Sequence, residues 1–160
     1  MLVIVYFDVF YKDLITKLEA AKIPHKMLHY TQITKNLKPS ALIITGSKKR
    51  IMNEPLIPEL NSLINNTAGP VIGICYGFQY LARLGNGIIS EGTEAFRGIK
   101  SGHHYNHYDK VVKLPYSWIV LEHQDDFISV AYELSKLWVG YQFHPEKKQS
   151  DFEKYIASLI

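Results

Sequence analysis

Apolar residues fall into two kinds of run along the first half of the chain. Leu2-Val3-Ile4-Val5-Tyr6-Phe7, Ala41-Leu42-Ile43-Ile44-Thr45 and Val71-Ile72-Gly73-Ile74 are continuous, which marks strands covered on both faces. Between them, Asp13–Ala21 places Leu14, Ile15, Leu18 and Ala21 at helical spacing. Pro55–Asn65 does the same with Leu56, Ile57, Leu60, Leu63 and Ile64. A further strand is expected over Lys26–Tyr30, and a helix from Gly77 to Leu84. Strands alternating with helices imply an α/β fold, an open and mostly parallel sheet with helices on both faces.

The second half changes character. Gly87–Ile89, Val111–Val112, Trp118–Leu121, Phe127–Tyr132 and Leu137–Phe143 are short strand candidates separated by turns. They predict a small antiparallel hairpin region appended to the sheet. Ser150–Ile160 predicts a closing amphipathic helix, capped by Ser150 or Asp151. No internal repeat or low-complexity tract interrupts the chain.

The totals narrow the function classes. A length of 160 residues fits one domain over 1–160. Apolar residues at 47% and charged residues at 21% are ordinary for a globular protein with a real core. A net charge of +3 makes no case for nucleic acid or an anionic membrane, which call for dense basic patches. The one cysteine, Cys75, rules out an intramolecular disulfide and suits a reducing interior. Met1–Phe10 reads as a first strand and not a signal peptide, and no apolar run approaches the roughly 20 residues that cross a bilayer. A soluble, cytoplasmic protein is expected, with no cofactor.

The sharpest feature is Val71-Ile72-Gly73-Ile74-Cys75-Tyr76-Gly77-Phe78-Gln79. An apolar strand runs into Gly-x-Cys-x-Gly and continues as a helix, the setting of a nucleophile elbow with sulfur in place of oxygen. The turn is too tight for side chains beside the nucleophile, hence the flanking glycines. Cys75 then starts a helix whose free N–H groups favour the thiolate, and the Tyr76 N–H is placed to serve an oxyanion. Gln79 lies one helical turn on and leans back toward the same pocket. The plainer alternative is a buried structural cysteine at a strand end.

A thiol nucleophile needs a base, and seven histidines compete. His144 ends the apolar strand of Val139-Gly140-Tyr141-Gln142-Phe143-His144-Pro145-Glu146, and Pro145 biases it toward an extended conformation. Positions 144 and 146 then project to one side, so Glu146 accepts from one imidazole nitrogen while the other faces the sulfur. An isolated His-Pro-Glu would otherwise read as a surface pair. His103, His104 and His107 show no metal-site spacing and read as a Tyr/His-rich loop, so no metal is expected. His25, His29 and His123 read as ordinary strand or loop residues. Lys48-Lys49-Arg50 reads as solvated, with recognition of an anionic group or a partner as the lesser alternative.

These segments together resemble the class I glutamine amidotransferases, closest to the glutaminase domain of GMP synthase. The likeness runs in order through Ala41–Gly46, Gly73–Gln79, Asn106–Val111 with Leu114-Pro115, and Tyr141–Glu146. It implies a flavodoxin-like α/β fold. It implies Cys75 as the nucleophile on the glutamine carboxamide, His144 as acid and base, and Glu146 as its orienter. Backbone N–H groups of Tyr76 and of Ser47 or Gly46 would form the oxyanion hole. Gln79 and Asn106, His107 and Tyr108 would hold the amino and carboxylate ends. Ammonia would pass to an ATP-dependent synthetase on a separate chain.

The sequence departs from the family in three ways. The oxyanion loop, typically Gly-Gly-Pro, reads Gly46-Ser47-Lys48. The stretch from Cys75 to His144 is compressed, and no ATP-binding glycine loop is present. Two other functions remain open. One is a hydrolase of γ-glutamyl bonds in peptides or folates, which would use the same groups. The other is a catalytically silent binding or regulatory relative.

Overall fold

A computed structural model describes residues 1–160. Eleven strands and four helices follow in the order β1 (Leu2–Tyr6), α1 (Lys12–Ala20), β2 (His25–His29), β3 (Ala41–Ile44), α2 (Pro58–Asn66), β4 (Val71–Ile74), α3 (Tyr76–Leu84), β5 (Ile88–Ser90), β6 (Phe96–Lys100), β7 (His103–His107), β8 (Lys110–Lys113), β9 (Trp118–Gln124), β10 (Phe127–Glu133), β11 (Trp138–Tyr141) and α4 (Gln149–Tyr155). Seven strands form one sheet in the order β2-β1-β3-β4-β11-β10-β9. Its first five are mutually parallel, β10 adds antiparallel to β11, and β9 pairs antiparallel with β10 at the edge. Sheet and helix order are those expected of the α/β class.

Strand alternation divides the core in two. On one face Val3, Val5, Leu42 and Ile44 meet Leu60, Leu63 and Ile64 of α2 and Phe78 and Leu81 of α3. On the other, Leu2, Ile4, Ile43, Ile72 and Ile74 meet Leu14 and Leu18 of α1 and Phe152 and Tyr155 of α4. Ile4, Leu14, Leu42 and Phe78 have no exposed surface, and each such side chain stabilises the fold by roughly 1.5–3 kcal/mol. The continuous apolar runs reflect this two-sided burial.

The expected antiparallel region is present: the β9–β10 hairpin extends the main sheet, and β5 with β8 and β6 with β7 form two small antiparallel pairs. Other expectations are corrected. The Tyr/His-rich stretch is not a loop: β6 and β7 form a hairpin with Arg97 opposite Asn106 and Lys100 opposite His103. Ser101 and Gly102 turn it, both with positive φ (51° and 82°), the combination that suits a two-residue hairpin turn. Helix α2 starts at Pro58, where proline's missing N–H costs nothing, and not at Pro55. Helix α4 ends at Tyr155, and Lys148 occupies its N-cap without a side-chain cap. Ser150 and Asp151 lie inside the helix, and the Asp151 carboxylate is bonded to His103. No helix is long and apolar enough to cross a membrane.

Candidate active site

Strands β4 and β11 are parallel neighbours, with Gly73 opposite Gly140 and Ile74 opposite Tyr141. The ladder continues to the Cys75 N–H, which donates to the Tyr141 carbonyl at 2.7 Å. Cys75 leaves β4 with φ 53° and ψ −103°, a conformation that non-glycine residues adopt only under strain. The flanking glycines are steric necessities. A Cβ on Gly73 would stand 2.6 Å from the Gly77 carbonyl carbon, and one on Gly77 would collide with the Ile44 carbonyl oxygen. The sharp strand-to-helix turn therefore packs directly on β3.

Besides His144, the sulfur has two polar neighbours. The thiol faces the Asn106 carbonyl at 3.6 Å, and the Gln142 side-chain amide approaches it at 3.8 Å. Gln142, fully buried, is a residue that sequence reasoning left without a role. Its oxygen faces the Gln79 Nε2 at 3.5 Å, and Gln79 Nε2 also donates to the Asp109 carbonyl at 2.8 Å. Amide donors thus run from α3 to the sulfur, leaving the Gln79 Oε1 as the atom available to a ligand. As the first residue of α3, Tyr76 has an N–H with no intrahelical acceptor.

His144 follows β11 and is almost wholly buried. Its Nδ1 donates to Glu146 Oε1 at 2.7 Å, and Glu146 is equally buried. Its Nε2 has no hydrogen-bond partner, and the sulfur lies close enough for its charge to act on the ring without hydrogen-bond geometry being met. Burial opposes the charged imidazole, but the charges of Glu146 and Cys75 outweigh it and hold its pKa well above the ordinary histidine value. Phe10 stacks on the imidazole at 5.5 Å. Behind it, the His144 N–H donates to the His104 carbonyl at 2.7 Å. Phe143 stacks face to face with His103 at 3.9 Å, and His103 is held by Asp151 and Glu122.

The loop after β3 carries Gly46 and Ser47. Asp8, at the end of β1, accepts from the Ser47 hydroxyl at 2.8 Å and the Lys48 N–H at 2.9 Å. A proline at position 48 would have no N–H to offer, so the departure from Gly-Gly-Pro goes with a different anchor for the loop. Asp8 was invisible in the sequence, its one signal being a lone carboxylate ending an apolar strand. The Ser47 N–H makes no bond within the protein.

A cavity of about 320 Å³ opens over the sulfur. Cys75, Ser47, Tyr76, Gln79, Asn106 and Tyr108 contribute to its wall. Gly46 lies instead against the edge of the His144 ring. His107 reaches the wall too, but its ring is packed against Phe96 and Phe127 and its Nδ1 donates to the Asp109 carbonyl. Burial pushes its pKa down to about 4. The Lys48-Lys49-Arg50 stretch is not simply solvated. The Arg50 guanidinium grips buried Asp109 with bonds of 2.6 and 3.0 Å, and Lys49 pairs with Glu54. In β7 the side chains of His103 and His107 share a face and His104 takes the other, so the three imidazoles do not converge.

Residues 2–159 match the family model described as glutamine amidotransferase class-I. The chain belongs to the class I glutamine amidotransferases. Within this family it is 28% identical over 163 aligned residues to a GMP synthase (glutamine-hydrolyzing) of Macrococcus caseolyticus, an alignment covering 89% of this chain and 32% of that one. It is 29% identical over 145 residues to the enzyme of the same name from Borreliella burgdorferi, covering 78% of this chain and 28% of that one. The chain thus spans about a third of the length of these curated relatives. Among solved structures, a glutamine amidotransferase from Methylobacillus flagellatus superposes with a TM-score of 0.72 over 98% of this chain and 74% of its own, at 18% identity. The amidotransferase fold accounts for the mostly parallel seven-stranded sheet.

Proposed function

We propose that this chain acts as a glutaminase that hydrolyses the side-chain amide of glutamine through Cys75 and releases ammonia. One observation carries the reading. A strained cysteine at a helix N-terminus faces a buried histidine whose far nitrogen is held by a carboxylate and whose near nitrogen is unpartnered.

The chemistry then runs in two halves. Sulfur, as thiolate beside the imidazolium, attacks the amide carbon. The resulting oxyanion is received by the N–H groups of Tyr76 and of Ser47 or Gly46. Collapse breaks the C–N bond, His144 gives its proton to the leaving nitrogen, and a γ-glutamyl thioester remains. Water then loses a proton to His144 and attacks the thioester, returning glutamate and the thiol. Glu146 keeps the imidazole in one tautomer and offsets its charge throughout. Gln79, Asn106 and Tyr108 hold the amino-acid end of the substrate, and the buried His107 ring supports the segment that carries Asn106 and Tyr108.

Ammonia made here needs an acceptor. The relatives named GMP synthase extend well beyond the matched region, which supports transfer to an ATP-dependent synthetase outside residues 1–160. A free thiol nucleophile suits a reducing, cytoplasmic setting. The test is ammonia release from glutamine by the wild type and by Cys75→Ala, with and without γ-glutamyl peptides as competing substrates. Release from glutamine that disappears in the variant is the expected result. Turnover of γ-glutamyl peptides alone would make the chain a peptide or folate hydrolase. Failure of Cys75 to react with a diazoketone analogue of glutamine would make it a silent relative.

A further inference from the structure

The walls of the cavity over Cys75 carry an uneven set of charges. Four cations line it, Lys48, Lys49, Arg50 and Arg97, against one carboxylate, Asp109. Two of the four are committed elsewhere. Arg50 spends its guanidinium on Asp109 and on the Gly92 carbonyl, and Lys49 reaches Glu54. Lys48 and Arg97 form no ion pair.

Both are held by their backbones or side-chain stems and not by a counter-charge. The Lys48 N–H is fixed to Asp8 in the loop that carries Ser47. Arg97 sits directly across the β6–β7 hairpin from Asn106. Its Nε donates to Asn106 Oδ1 at 3.1 Å, which leaves the terminal guanidinium nitrogens free to donate. The Asn106 carbonyl is the same group that faces the sulfur, so Arg97 is tied to a residue in contact with the nucleophile. A planar guanidinium anchored at Nε is pre-organised for a carboxylate, and little freedom remains to be lost on binding.

We propose that Lys48 and Arg97 form an anion subsite at the cavity mouth that takes the free α-carboxylate of the γ-glutamyl substrate. The assignment rests on the glutaminase reading for the identity of the ligand, though not for the existence of the subsite. It gives the lysine that replaces the family's loop proline a task. It also makes the loop and the β6–β7 hairpin jointly responsible for holding the amino-acid end while the amide lies over sulfur.

Alkylation of Cys75 tests the two parts separately. Iodoacetate and iodoacetamide are similar in size and differ in charge, and their rate ratio at Cys75 reports the subsite with thiol reactivity divided out. That ratio is expected to fall about tenfold from wild type to the double variant Lys48→Ala, Arg97→Ala, to recover with Arg97→Lys in place of Arg97→Ala, and to shrink with added salt. An identical ratio in wild type and double variant would overturn the subsite. The second arm uses a diazoketone analogue of glutamine against the same analogue with its carboxylate amidated. Loss of wild-type preference for the free acid in the double variant supports the ligand assignment. Equal rates with both analogues in the wild type overturn that assignment, even where the iodoacetate result stands.

Discussion

Gly46 and His144 touch: a Cβ on residue 46 would stand 2.9 Å from Cε1 of the imidazole. The loop proposed to carry the oxyanion donors therefore also sets how close the proposed base comes. Gly46→Ala is expected to push the ring aside and lower kcat for ammonia release by about 100-fold, since displacements near 1 Å cost that much. The urea midpoint should move far less. Equal kcat in variant and wild type would show that the ring has room to shift.

Two histidines give stability opposite dependences on pH. His107 is pushed down to about 4 from an ordinary 6.5, so between these values the unfolded chain binds the proton and the folded one does not. Stability is therefore lost as pH falls from 6.5 toward 4, by on the order of 3 kcal/mol. His144 is raised well above 6.5, so its contribution is complete below 6.5 and is lost as pH rises through the folded value. Urea midpoints across pH should show His107→Gln flattening the acid limb and Glu146→Gln flattening the alkaline one.

Asp8 touches no reacting group, yet it fixes the loop through the Ser47 hydroxyl and the Lys48 N–H. Asp8→Ala is expected to lower kcat by about tenfold or more through a loosened oxyanion donor, with KM for glutamine changing less. A proportional rise in KM at constant kcat would assign Asp8 to substrate binding instead.

The backbone of Cys75 suits glycine better than cysteine. Cys75→Gly is expected to raise the urea midpoint relative to Cys75→Ala, because the strain of a Cβ at φ 53° costs about 1–3 kcal/mol. Both variants should be inactive. An equal midpoint for the two would mean that this turn stores no strain.

His103 bridges Asp151 and Glu122 at 2.9 and 3.3 Å while its ring lies on Phe143. His103→Leu strands the buried Asp151 carboxylate and is expected to cost about 1–3 kcal/mol. Adding Asp151→Leu should recover part of that loss, as read by thermal or urea unfolding.

The sequence disclosed the parts of this molecule governed by local rules. Two-sided burial wrote itself into β1, β3 and β4, and the Gly73 and Gly77 flanks of Cys75 announced the turn. What stayed hidden depends on contacts between distant segments. Nothing near Asp8 signals that it will hold Ser47, and nothing near Gln142 signals its approach to sulfur. The β6–β7 hairpin is hidden because only Phe96, Ile99 and Tyr105 lend it apolar weight; the Ser101-Gly102 turn is its one clear local sign. Arg50 looked like one of three solvated cations because Asp109 lies far along the chain. Asp151 had the composition of a helix cap, and a histidine from another strand claimed it.

Since β4 and β11 lie side by side, the gap between sulfur and imidazole is set by the roughly 4.8 Å interval of hydrogen-bonded strands and not by the length of chain joining them. Hairpin tips along that excursion can be trimmed or lengthened while the reacting pair stays in register. Surfaces that meet other molecules are thereby free to diverge while the arrangement of Cys75 and His144 is kept.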